Sequence, residues 1–97
     1  MKPVIIRGKI LEFLRDLYPN GADERTIVGV FYAYHDYDDI IDAVSYLADK
    51  GYAKLSEVPH PYKKVEKIRL YKIDPRGIDL LDGTISDPAV TVIPGED

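Results

Sequence analysis

The sequence predicts an α+β domain of three helices, a two-stranded antiparallel hairpin and a short fourth helix. Three observations carry this prediction. Apolar residues recur at spacings of three and four over three successive segments, the mark of amphipathic helices. Two stretches rich in β-forming residues flank Pro59-His60-Pro61-Tyr62. Asp74-Pro75 then opens, and Gly83 closes, a last amphipathic turn.

From Val4 to Tyr18, the residues Ile6, Ile10, Phe13, Leu14 and Leu17 share one helical face, and Pro19-Asn20-Gly21 ends the segment. Asp23 offers a carboxylate cap to a second helix whose inward stripe is expected to be Ile27, Val30, Phe31 and Tyr34. Asp36 or Tyr37 precedes the third helix, with Asp38 and Asp39 in its first turn. Negative charge there is favoured by the macrodipole by ~0.3–1 kcal/mol each. Ile40, Val44 and Leu47 point inward, and Gly51 is suited to the left-handed position after Lys50. Strands are expected over Tyr52–Val58 and Val65–Ile73, with a proline-broken tip between them. Residues 1–83 form the expected domain. Residues 84–97, around the apolar run Ala89-Val90-Thr91-Val92-Ile93, are expected to form an arm along it, a contact with a second chain, or a mobile terminus.

At 97 residues, 45% hydrophobic and 31% charged, the chain fits one soluble domain with a single core. No apolar run approaches the roughly 20 residues needed to span a bilayer. Arg7 interrupts the start too early for a signal peptide, so a cytoplasmic protein is expected. The absence of cysteine excludes disulfides, thiolate metal sites and a cysteine nucleophile. A net charge of −4 argues against a surface that seeks nucleic acid everywhere, yet the charge is segregated. Residues 36–49 carry five aspartates and no base, whereas Lys63, Lys64, Lys67, Arg69, Lys72 and Arg76 cluster against Glu66 and Asp74.

The order helix, helix, helix, hairpin, helix has two junction motifs. They are Leu47-Ala48-Asp49-Lys50-Gly51-Tyr52, and the run from Tyr71 through Ile73, Pro75, Gly77 and Ile78 to Leu81. Over residues 4–82 this pattern resembles winged helix-turn-helix proteins. The chain is also similar to small winged-helix proteins of Mu-like prophages that have no assigned role. The resemblance implies a third helix that reads bases, through Asp38, Asp39, Ile41, Asp42 and Ser45. It implies a wing that meets phosphates, through Lys63, Lys64, Lys67 and Arg69. The chain departs from the pattern at the reading helix, because aspartates there oppose the phosphate-lined groove.

The leading expectation is a non-enzymatic, DNA-binding or transcription-associated module, with the basic wing and Ser45 touching double-stranded DNA. The alternative is a winged helix used for protein association or dimerisation. Its contacts would be Tyr34, Tyr37, Asp38, Asp42 and Tyr46, with the C-terminal run as a further candidate. The acidic helix of one copy also has the sign to face the basic hairpin of another.

Tyr18, Tyr52 and Tyr71 are expected to pack at the core rim with hydroxyls in solvent. No metal or other cofactor is expected. Asp36-Tyr37-Asp38 has the first spacing of a calcium loop, but Ile41 and Leu47 stand where that loop needs glycine and a bidentate glutamate. His35 and His60 are read as surface or capping residues. No glycine-rich phosphate loop, serine elbow or histidine–nucleophile pairing suggests catalysis.

Overall fold

A computed structural model describes residues 3–92. The element order is α1 (Pro3–Leu17), β1 (Ala22–Asp23), α2 (Glu24–Phe31), α3 (Tyr37–Asp49), β2 (Ala53–Pro59), β3 (Lys67–Ile73) and α4 (Pro75–Asp82). Among these residues the architecture is α+β, with four helices and one antiparallel three-stranded sheet in the order β1-β3-β2. No helix among them is long and apolar enough to cross a membrane.

The core lies where α1 and α3 cross and the sheet closes over them. Ile6, Ile10 and Leu14 of α1 meet Ile40, Val44 and Leu47 of α3, with Ile27 of α2 and Tyr71 of β3 in the same cluster. Leu11, outside the stripe expected for α1, is also fully buried. Phe13 and Phe31 join α1 to α2 in an edge-to-face pair with centroids 5.9 Å apart.

Local chemistry sets the helix ends. The Asp74 carboxylate accepts from the Arg76 amide at 3.0 Å, and Pro75 occupies the first turn of α4, where a missing amide is harmless. Gly51 and Gly83 follow α3 and α4 with φ of 83° each, in the left-handed region.

Several expectations are corrected. α2 is only eight residues long and ends at Phe31, so Tyr34 falls in the following turn and is 85% exposed; Val30 points away from the core. Tyr52 and Tyr71 are not rim residues, being 2% and 1% exposed. β1 was not anticipated. It pairs Ala22 with Tyr71 and Asp23 with Leu70, and it lies so close to β3 that a methyl on Gly21 would overlap the Tyr71 carbonyl oxygen.

The β2–β3 ladder runs from Ala53↔Ile73 to Pro59↔Lys67, so Pro59 ends a strand while Val65 stands outside one. Pro59 is tolerated because β2 is an edge strand. Alternation puts Ala53, Tyr71 and Ile73 on the core face, and beyond Leu55↔Tyr71 the ladder leaves the core and projects.

Residues 84–92 cross α1 instead of leaving the domain. The Thr91 amide donates to the Val4 carbonyl at 2.9 Å, the Arg7 guanidinium donates to the Ala89 carbonyl at 3.1 Å, and Val90 enters the common core. Ile93, the last residue of the apolar run, lies outside the described residues.

Candidate functional site

The end of the β2–β3 hairpin is built around His60. Its amide donates to the Glu66 carbonyl at 3.0 Å, and its Nδ1 accepts from the amides of Tyr62 and Lys63 at 3.0 and 3.1 Å. This histidine thus caps the tight turn. The turn holds Tyr62 and Val65 almost wholly in solvent, 90% and 96% exposed, on either side of Lys63 and Lys64. The result is a projecting knob that is basic and apolar together.

The four hairpin cations named from the sequence are all exposed, and three of them face carboxylates. Lys63 lies 3.6 Å from Glu66, Lys67 3.9 Å from Glu57, and Arg69 3.7 Å from Glu24. The exposed Lys63–Glu66 and Lys67–Glu57 pairs add little stability, about 0–1 kcal/mol each, but all three pairs reduce the field that a phosphate would meet. Among the described residues Lys64 has no ion-pair partner. Asp23, Glu24 and Arg25 at the start of α2 face His60, Glu66, Lys67, Ile68 and Arg69 across a groove of about 310 Å³, lined by both signs of charge.

The second surface lies where α2 meets α3. With Ile40, Ala43, Val44 and Leu47 buried, the 100° step per residue turns Asp38, Asp42 and Asp49 outward, and all three are exposed. At the N-terminal end of α3, Tyr37 and the preceding turn residues Tyr32 and Tyr34 are exposed. Tyr32 and Tyr37 border an open depression of about 560 Å³ with Val28, Gly29, Glu24 and Arg25. Asp42 also meets Asp39, His35 and Arg7 at a smaller pocket of about 150 Å³. Among the described residues no three acidic, histidine or cysteine side chains are grouped to hold a metal ion.

Two of the residues singled out from the sequence stand apart from these surfaces. Tyr46 lies beneath the Arg7 guanidinium, 3.7 Å from its ring centroid, in a cation–π stack that ties α3 to α1. Ser45 is half-buried beside the Tyr71 hydroxyl, together with Arg69 and Glu24. Burial pushes the Tyr71 phenol above its ordinary pKa, and the Glu24 charge acts in the same direction. Glu24 Oε2 is itself buried without a hydrogen bond, facing Arg69 Nη1. The clustering of Tyr32 with Tyr34 and Tyr37 between the second and third helices is legible in the sequence; Tyr62 and Val65 were not singled out, because their exposure follows from turn geometry, which the hydrophobic pattern does not encode.

The most perturbed carboxylate belongs to the strap over α1. The Tyr52 hydroxyl donates to Asp87 Oδ2 at 2.6 Å, the Ala89 amide donates to Oδ1 at 2.8 Å, and Lys50 Nζ lies 3.8 Å away. The Tyr52 hydroxyl first, and then the Ala89 amide, hold the Asp87 pKa below its usual value, while burial raises that of Tyr52. A depressed folded-state pKa means that this contribution is fully present above the unfolded value of about 3.9 and is lost as pH falls through the folded-state value. Asp87→Asn is therefore expected to lower stability at neutral pH by roughly 1–2 kcal/mol. Its difference from the native chain should shrink as acid protonates Asp87, which urea melts at neutral and acid pH would measure.

No protein-family model, curated protein or solved structure matches the chain. Function is therefore inferred from the chemistry of these surfaces.

Proposed function

We propose that the chain is a winged-helix binding module, without catalytic chemistry of its own, that works by protein association through the surface where α2 meets α3. The element order and the strand order β1-β3-β2 support the winged-helix assignment. One observation carries the association reading. α3 opens at the exposed Tyr37 with the exposed Asp36 and Asp38 on either side of it, follows the exposed Tyr32 and Tyr34 of the preceding turn, and carries the exposed Asp42 and Asp49 farther along. Carboxylates on a reading helix would repel the phosphates it must approach, whereas tyrosines pair an apolar ring with a water-tolerant hydroxyl and are enriched at protein contacts.

Titration of fluorescent duplex DNA of random sequence tests this. No binding is expected at ~50 mM salt, where phosphate attraction is strong. Micromolar binding that falls steeply as salt rises would overturn the proposal.

That outcome would favour a second reading, in which the hairpin holds duplex DNA by its backbone. The exposed row Lys63, Lys64, Lys67 and Arg69 supports it. On that reading, replacing Lys63, Lys64 and Lys67 by alanine weakens binding to every sequence and flattens the salt slope by about 0.9 for each phosphate no longer neutralised.

A further inference from the structure

We infer that the occupant of the α2–α3 surface is a second copy of this chain, whose β2–β3 hairpin tip docks there. This rests on the association reading and names its partner. The two surfaces match in chemistry and in sign. The tip offers Tyr62 and Val65, 90% and 96% exposed, with Lys63 and Lys64 between them. The α2–α3 surface offers the exposed rings of Tyr32, Tyr34 and Tyr37 and the depression of about 560 Å³, with the exposed carboxylates of Asp36 and Asp38 on either side of Tyr37 in the chain. Arg25 is the basic residue on the border of the depression and has Glu24 as its neighbour there.

The shapes match as well. The ladder leaves the core after Leu55↔Tyr71 and continues for four more pairs to Pro59↔Lys67, so its end lies roughly 13 Å beyond that pair at about 3.3 Å per residue, with the groove to Asp23, Glu24 and Arg25 along one side. The molecule is accordingly elongated, 43 × 26 × 25 Å. Lysines from the tip would lie against tyrosine faces and aspartates, giving cation–π contact and charge pairing together. Knob and receptor are different surfaces of the same chain, so a single contact leaves one knob and one receptor free. The assembly then closes as a reciprocal two-fold dimer, closes into a larger ring or propagates into an open row.

Two variants test the inference by complementation. The tip variant carries Lys63→Glu, Lys64→Glu, Tyr62→Ser and Val65→Ser. The receptor variant carries Tyr34→Ser, Tyr37→Ser, Asp38→Lys and Asp42→Lys. Every substituted side chain is exposed, and thermal melts check that both variants fold. Sedimentation of the native chain is expected to show self-association, to a dimer or beyond, that grows with concentration and weakens with salt. Each variant alone should lose self-association by roughly tenfold or more. Mixed in equal amounts, the two should form one-to-one dimers and nothing larger, because each keeps the half that the other lacks.

A native chain that remains monomeric up to roughly 1 mM, the weak end of protein association, overturns the inference. So does a native assembly whose variants fail to pair on mixing. If a variant does not fold, the lysine and aspartate reversals alone, without the serine changes, decide between the same outcomes. These results are separable from failure of the association reading itself, which would appear as salt-sensitive duplex binding by the native chain.

Discussion

Truncation of Tyr71 to alanine is expected to lower folding stability by about 3–5 kcal/mol, the range for deleting a large buried aromatic side chain. Tyr71 is 1% exposed and sits on β3, the middle strand, between Ala22 of β1 and Leu55 of β2. Its ring belongs to the core that α1 and α3 build, so its loss opens a void at the point where the sheet meets the helices. Domains of this size have a total stability of only about 5–15 kcal/mol, so the variant is expected to be partly unfolded at physiological temperature. A urea melt should show a lower midpoint with an unchanged slope. Tyr71→Phe separates the ring from the hydroxyl. It keeps the burial and removes only the group beside Ser45, Arg69 and Glu24, so roughly 1 kcal/mol is expected from it. An alanine variant as stable as the phenylalanine one would show that the ring is not the centre of the core.

The parts of this fold that could be read in advance are those set by neighbours in sequence. Asp74, Pro75 and Gly83 bound α4 through capping and φ preference alone, and Gly51 ends α3 for the same reason. Ile40, Val44 and Leu47 turn inward because their spacing permits one face only. What could not be read depends on contacts across the chain. Two residues of β1 carry no periodic signal, and their pairing with β3 exists only once α1 and the hairpin are assembled. Tyrosine fits both core and surface, so burial of Tyr52 and Tyr71 and exposure of Tyr34 could not be separated by residue type.

The candidate surfaces follow the same division. The acidity of α3 and the basicity of the hairpin are sequence facts. The balancing of Lys67 by Glu57 and of Arg69 by Glu24 required strand register and the seat of α2 against β3. That balancing, with Glu66 beside Lys63 at the tip, lowers the pull of the hairpin on phosphates. The charge map therefore bears differently on the two functional readings once the chain is folded.

Gly8→Ala is expected to lower stability by about 1.5–3 kcal/mol net, although alanine is the better helix former by roughly 1 kcal/mol. A methyl built on Gly8 would overlap the Thr91 carbonyl oxygen, because the strap lies directly on α1 there, and the obstacle is backbone that cannot swing aside. The strap must lift, and with it go the Thr91–Val4 hydrogen bond and the burial of Val90. These amount to roughly 1 kcal/mol for the bond and 1.5–3 kcal/mol for the side chain, which outweighs the gain in helix propensity. Gly29→Ala supplies the opposite sign. Gly29 lies in α2 with nothing within 4 Å of the added methyl, so the substitution is expected to stabilise by about 0.5–1 kcal/mol. Thermal melts of the two variants should move in opposite directions, and limited proteolysis should cut near residues 84–92 in the Gly8 variant alone. Equal stabilisation by both would mean that the strap does not rest on α1 in solution, and the arm would then be open to a partner chain.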